Sequence, residues 1–348
     1  MALIFLFALY QYVYLTYSAV PGNSAKYPLG WWGWTDQGLY LKSSNAFAAL
    51  DFRSASHFYP PLYPAIGAFF LPFSRLHPFY LVDLVLMAGF FLLVFRIFQH
   101  RLGARIAAVS VVAGMALYPV VGMQWVVPWT STLSAFLVAA ALALFDQFER
   151  MRGEPRRIRS FLLNGFLFGV VVGSQIPVRP ADIATVAPVA ILYAIMVVRM
   201  MAGGTADQRR CGAIAVVGGV AGFSLPVAFF VGFNLASTGT AAGRYFGTVM
   251  GGIGFDATQI PERLFSLFVA SQPYFLEFNA DWISVIPVLF IAVVFAIVAS
   301  LFPGPATLRV AGVMMVVQLL VYASYHDSLP SGMFRYYNVH YYKWMFPV

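Results

Sequence analysis

Residues 79–98 read FYLVDLVLMAGFFLLVFRIF, a twenty-residue stretch with charges only at Asp83 and Arg96 and no proline. As a helix rising 1.5 Å per residue, it is ~30 Å long, the thickness of a bilayer's hydrocarbon core. It therefore reads as a membrane crossing. Working outward, comparable runs lie near 2–20, 106–123, 129–147, 161–177, 183–201, 212–234, 282–302 and 309–325, giving about nine spans. Composition agrees: 61% of the 348 residues are hydrophobic and 10% are charged, against roughly 25% charged in soluble domains, and the mean hydropathy is +0.78. In lipid only helices and closed barrels satisfy their own backbone, and twenty-residue runs are helix lengths. The expected fold class is all-α, a polytopic transmembrane helical bundle forming a single transmembrane domain over 1–348. The first run lacks a basic segment ahead of it and is long for a signal peptide, so it is read as a retained helix.

The net charge of +8 invites a nucleic-acid reading, but the basic residues sit in short clusters at the ends of apolar runs. That pattern orients a membrane protein. One set of connectors carries Arg96, Arg101, Arg105, Arg150, Arg152, Arg156, Arg157, Arg159, Arg199, Arg209, Arg210 and Arg309, all in short loops. The other nine Lys and Arg are spread over longer loops. The dense set marks the cytoplasmic side, which leaves two long external segments, 21–78 and 235–281. Nine of the thirteen acidic residues fall on or near the external side, so polar chemistry is expected there. The single cysteine, Cys211, excludes an internal disulfide and any multi-cysteine metal site. Phosphate-loop, HExxH and GxSxG motifs are absent.

The first external segment contains Trp31–Pro64, WWGWTDQGLYLKSSNAFAALDFRSASHFYPPLYP. Its tryptophans favour the interface, and 36–50 reads as a surface helix with Leu39, Ala46, Phe47 and Leu50 on its apolar face. Asp36 begins that helix, either as a cap for backbone N–H groups or as a carboxylate at the lipid–water boundary able to take a proton or hold a cation. Both roles are compatible. Asp51 and Arg53 pair with each other or with water, or contribute to a site, and His57 binds an acceptor or a phosphate or is simply hydrogen bonded. Pro60, Pro61 and Pro64 stiffen the turn that presents Tyr59 and Tyr63. Arg179, where one span meets the next, is costly near lipid unless paired; Asp182 is its local partner, and a lipid phosphate is the alternative. Asp83, a few residues into its span, reads either as a residue interacting with the helix dipole or reaching toward the interface, or equally as a functional carboxylate. In the second segment Pro261 opens a helix whose apolar side is Leu264, Phe265, Leu267 and Phe268. Arg244 with Tyr245, and Arg335 with Tyr336 and Tyr337, place cations beside aromatics.

An external Asp after the first helix in TDQGLYLKSSNAFAALDF, followed by HFYPPLYP, resembles the first external loop of the GT-C glycosyltransferases, nearest the protein mannosyltransferase and aminoarabinose transferase branches. The Arg-Pro at Arg179 and Pro180 and the late RYY at 335–337 extend the likeness across most of the chain. Many relatives have Asp-Glu where this chain has Asp36 and Gln37. The resemblance implies an inverting transferase of the bacterial inner membrane. It would move a sugar from a polyprenyl-phosphate donor to an acceptor at the periplasmic face, with Asp36 as base. The substrate-binding set would be Tyr40, Asp51, His57, Tyr59, Tyr63, Arg179, Arg244, Arg335 and Tyr336. No cofactor and no metal are expected, because no close carboxylate pair joins Asp36 to Asp51 or Asp256. The extra C-terminal spans or soluble domain usual in the family do not follow within 1–348, and the final HYYKWMFPV reads as the entrance to a further span of a truncated chain, or as a short last helix. A lipid transporter or flippase is the alternative, although its usual midplane polar groups and internal repeats are not evident. A non-catalytic scaffold would leave the polar first loop unexplained.

Overall fold

The structure, a computed structural model, describes residues 2–16, 35–116, 119–153, 158–249, 254–269, 285–325 and 338–347. Trp31 to Trp34, Arg335 and Tyr336 lie outside the described residues. The chain is an integral membrane protein. Among the described residues six helical segments are long and apolar enough to cross a membrane: 79–102, 130–151, 158–178, 180–203, 206–238 and 306–324. Two shorter apolar helices, Ile4–Thr16 and Phe290–Leu301, accompany them.

In chain order the helices are α1 (Ala2–Thr16), α2 (Thr35–Ala48), α3 (Leu62–Phe70), α4 (Phe79–Leu102), α5 (Ala104–Ala116), α6 (Pro119–Val126) and α7 (Thr130–Met151). There follow α8 (Ile158–Val178), α9 (Ile183–Gly203), α10 (Ala206–Thr238), α11 (Gly243–Thr248), α12 (Ile260–Phe268), α13 (Val285–Leu301) and α14 (Ala306–Ser324). The run expected as one span over 106–123 is two helices, α5 and α6, and the second begins at Pro119, a residue suited to a first helical turn. The span read as 212–234 extends to 206–238 because Thr205 and Gln208 form a reciprocal cap: Gln208 N–H donates to Thr205 Oγ1 at 3.3 Å, and Thr205 N–H to Gln208 Oε1 at 2.9 Å. Its other end stops at Gly239, whose φ of 71° is the left-handed conformation glycine adopts freely.

α7 is the centre of the bundle, with 78% of its span buried against 22% for α10, whose outer face is left to lipid. α8 and α10 cross at glycines. Ideal Cβ atoms built on Gly169 and Gly222 would lie 2.1 Å from the Gly219 carbonyl oxygen and 2.0 Å from that of Phe166. Where lipid removes the hydrophobic drive, such close backbone packing holds helices together.

The arginine-rich end carries an ion cluster. Arg101 Nε reaches Asp146 Oδ1 and its NH2 reaches Glu149 Oε2, both at 2.6 Å, while Arg150 reaches Asp146 Oδ2 at 3.0 Å. Thr307 at the start of α14 donates to Asp146 and Glu149 at 3.3 and 3.1 Å. The cluster ties α4, α7 and α14 together. Arg101→Met leaves the buried Asp146 with Arg150 but strips Glu149 of its cation. It is therefore expected to cost stability at or just below the ~3–5 kcal/mol of a broken buried pair, read as a lower thermal midpoint in detergent; an unchanged midpoint would show the cluster contributes nothing.

Two expected faces differ in the structure. α2 keeps an outer side, with Lys42 and Asn45 exposed and Ala46 buried as expected, but its inner face is Gln37, Tyr40, Leu41, Ser43 and Ser44, and Leu50 is 76% exposed at a φ of 53°. The polar residues on its inner face can be buried because they are bonded: Gln37 donates to the Pro128 carbonyl at 3.1 Å and Ser44 to the Pro64 carbonyl at 2.9 Å. On α12 the buried side chains include Arg263, which donates to the Ala323 carbonyl at 3.0 Å and to the Tyr325 carbonyl, while Phe265 is exposed.

Candidate functional site

The first turn of α2 carries Asp36, half-buried, and the Pro60–Pro61 turn brings Tyr59 back over it, so that the Tyr59 hydroxyl donates to Asp36 Oδ1 at 2.6 Å. Tyr40 lies one turn further along α2, with its ring centroid 4.7 Å from Tyr59. Burial, and then the Asp36 carboxylate, push both phenols well above their ordinary pKa. For Tyr40 the Arg179 guanidinium acts in the opposite direction, which places both charges within electrostatic reach of one ring. Tyr245 of α11 closes the group, 5.4 Å from Tyr59.

Arg179 sits between α8 and the 3-10 turn Pro180–Asp182. Its Nε is 3.4 Å from Asp182 Oδ2, the local partner the spacing predicts, and its side chain is 11% exposed. The guanidinium also lies 4.4 Å from the Tyr341 ring centroid and 5.2 Å from that of Tyr322, within cation–π range. Asp182 accepts further bonds from Ser134 and Tyr322. Two small adjoining clefts, of about 10 and 20 Å³, share Pro180, Tyr245 and Phe246 in their walls. One is bordered by Tyr59, Pro180, Arg244 and Tyr245, the other by Arg179, Pro180, Tyr245 and Tyr322. Arg179 lines the second; Asp36 lines neither, and is bonded to Tyr59 in the wall of the first.

A polar floor lies beneath. The start of α7 reads TSTLS, and four hydroxyl residues there are buried. Ser131 bonds His340 Nδ1 at 2.9 Å, Thr132 accepts from Lys343 at 2.6 Å, and Ser134 donates to Gln175 at 2.9 Å. Lys343 also donates to the Gln124 carbonyl at 2.9 Å, and His340 stacks on Trp129 with centroids 4.1 Å apart.

Asp36, Tyr40, Tyr59 and Arg179 thus come together, with exposed Arg244 at the rim, 5.7 Å from the Phe58 ring centroid. The remaining expected residues take other positions. Asp51 lies just past the far end of α2, and the twelve residues of helix from Asp36 to Ala48 alone rise ~18 Å. There it is engaged by Arg53 at 2.8 Å and by Ser56 at 3.1 Å, which hold its carboxyl well below the usual range. His57 is a strut: Ser43 Oγ lies 2.7 Å from its Nδ1 and the Asp51 carbonyl 2.6 Å from its Nε2. Burial lowers its pKa, which favours the neutral ring, with Nε2 donating to the Asp51 carbonyl and Nδ1 accepting from Ser43. Tyr63 is fully buried and donates to Asp83 at 2.9 and 3.0 Å. Asp83 is therefore not at the interface but in the core, because its position on α4 faces the bundle. Among the described residues no group of three or more His, Cys, Asp or Glu is placed to hold a metal ion.

Tyr322, Tyr341, Ser134 and Gln175 are site residues the sequence did not single out. The only trace was the hydroxyl-rich TSTLS at the start of an apolar run.

No family model matches the chain, and no curated protein matches it in sequence. Among solved structures it is similar to ArnT from Cupriavidus metallidurans bound to undecaprenyl phosphate, with a TM-score of 0.56 and 14% identity. The match covers 99% of this chain and 59% of that one, so this chain spans little more than half of its neighbour's length. The fold is GT-C-like.

Proposed function

We propose that this chain is a membrane glycosyltransferase that moves a sugar from a polyprenyl-phosphate donor to an acceptor hydroxyl at the periplasmic face of a bacterial inner membrane. The observation that carries this reading is that a carboxylate, Asp36, and a guanidinium, Arg179, gather about one tyrosine group, Tyr40, Tyr59 and Tyr245, in a GT-C-like fold. The donor class follows by likeness from the neighbour's undecaprenyl phosphate. A carrier whose tail stays in the bilayer presents phosphate and sugar at the interface, so the enzyme's polar groups must gather there.

In the proposed reaction the acceptor oxygen forms a bond to the anomeric carbon as the bond from that carbon to the phosphate oxygen breaks. The acceptor proton passes to Asp36, and the polyprenyl phosphate departs with its negative charge. Arg179 stabilises that charge through a guanidinium fork that suits phosphate. A single displacement needs no covalent enzyme intermediate and inverts the anomeric centre. Tyr40 backs Tyr59, Tyr63 supports Tyr40 from the core with ring centroids 5.5 Å apart, and His57 holds the turn that carries Tyr59.

The test is mass spectrometry of lipids copurified with the protein. A bound polyprenyl phosphate or its glycoside is expected. Arg179→Gln is expected to lower its retention about 10–100-fold, the loss that accompanies a charge-assisted hydrogen bond, and Arg179→Lys is expected to fall between. Substrate-dependent flux across proteoliposomes with no glycosyl product would overturn the reading in favour of a flippase.

A further inference from the structure

A second polar–apolar feature lies at the opposite end of α4. A cleft of about 550 Å³ opens between α4 and α8 with α7 as its floor, within the ~300–1,000 Å³ typical of small-molecule sites. Leu93, Phe136, Ala140, Leu144, Leu167 and Val171 make its apolar length. Arg96, His100, Gln147 and Arg150 stand at its polar end. The helices are pinned together above it, where a Cβ on Gly89 would meet Phe136 at 2.8 Å. Asp83 and Arg96 are thirteen residues apart on one helix, so ~20 Å separates this cleft from the core carboxylate under the candidate site.

We propose that this cleft holds one acyl chain of an anionic glycerophospholipid from the leaflet opposite Asp36, with the lipid phosphate on Arg96 and Arg150. Length supports the chain: Phe136 to Asp146 is ten residues of α7, ~15 Å, which matches half of a ~30 Å hydrocarbon core. Charge supports the headgroup. The nearby carboxylates are already saturated: Asp146 holds Arg101 and Arg150, and Glu149 holds Arg101, Thr307 and the Ala306 N–H. Arg96 is exposed and, among the described residues, has neither ion pair nor hydrogen bond. A cation left over at the mouth of an apolar cleft, in the connector set richest in arginine, is complementary to a lipid phosphate. A zwitterionic headgroup would set its own cation against the same arginines.

Native mass spectrometry of the purified chain titrated with phosphatidylglycerol or with phosphatidylcholine of the same acyl chains tests this. Preferential retention of phosphatidylglycerol is expected, together with no adduct from soluble glycerol phosphate. Arg96→Gln, an exposed position whose change should not disturb folding, is expected to weaken phosphatidylglycerol binding about fivefold. Ala140→Phe, which fills the cleft, is expected to remove the adduct. Equal retention of the two lipids, binding of glycerol phosphate alone, or phosphatidylglycerol binding unaltered by Arg96→Gln would each overturn the assignment. None of these readouts involves Asp36, Arg179 or sugar transfer, so failure here and failure of the glycosyltransferase reading are separable.

Discussion

Asp36→Asn is expected to reduce sugar transfer by about 10²–10⁴-fold, the contribution of a positioned general base, while leaving the fold intact. The substitution keeps the shape of the side chain and an oxygen for the Tyr59 hydroxyl, now 2.6 Å from Asp36 Oδ1, so the Pro60–Pro61 turn retains its anchor. What it removes is the ability to take a proton. Tyr59→Phe separates the two contributions: it leaves the carboxylate but releases its orientation, and a loss of about tenfold is expected from a single hydrogen bond. Transfer from a polyprenyl-phosphate sugar should be followed with the purified protein in liposomes, beside its thermal midpoint. Full transfer by folded Asp36→Asn protein would remove the base from the mechanism.

Depth along the chain was readable from sequence, whereas direction around a helix was not. The apolar run at 79–98 corresponds to α4 and the run at 183–201 to α9, because hydrophobic length alone sets a crossing. The Arg179–Asp182 pair was visible because both partners lie in one short connector. Asp83 was misjudged for the complementary reason: its place near the start of α4 gives a height in the membrane, but only packing against Tyr63 reveals that it faces the core. Ser134, Gln175 and Tyr322 were hidden in the same way. Each sits in a run apolar enough to be read as a plain span, and their shared purpose appears only when α7, α8 and α14 meet at Asp182. The inner face of α2 was missed because a helix with buried Ser43 and Ser44 contradicts an amphipathic pattern unless its hydrogen-bond partners, His57 and Pro64, are known.

The largest effect on the fold is expected from Gly222→Val. A Cβ at this position would lie 2.0 Å from the Phe166 carbonyl oxygen and 3.0 Å from the Val170 nitrogen, where even a close C···O approach is ~3.3 Å. The obstacle is backbone, which cannot swing aside, so α8 and α10 must separate by about 1 Å or more and forfeit the packing that joins them. The cost should exceed ~4 kcal/mol, as for other severe overpacking. Gly232→Val on the same helix is the control: nothing lies within 4 Å of its Cβ, and the position faces outward. Thermal unfolding in detergent should show a large drop for the first and little change for the second, and equal midpoints would mean that the helices do not cross at these glycines. The effect should reach the candidate site, because the last turn of α8 supports it directly. The Arg179 N–H donates to the Gln175 carbonyl at 2.7 Å, and the Gln175 side chain holds Ser134, which in turn holds Asp182. Any Gly222→Val protein that does fold should therefore retain less polyprenyl phosphate than Gly232→Val protein, since displacing α8 displaces the guanidinium proposed to bind it.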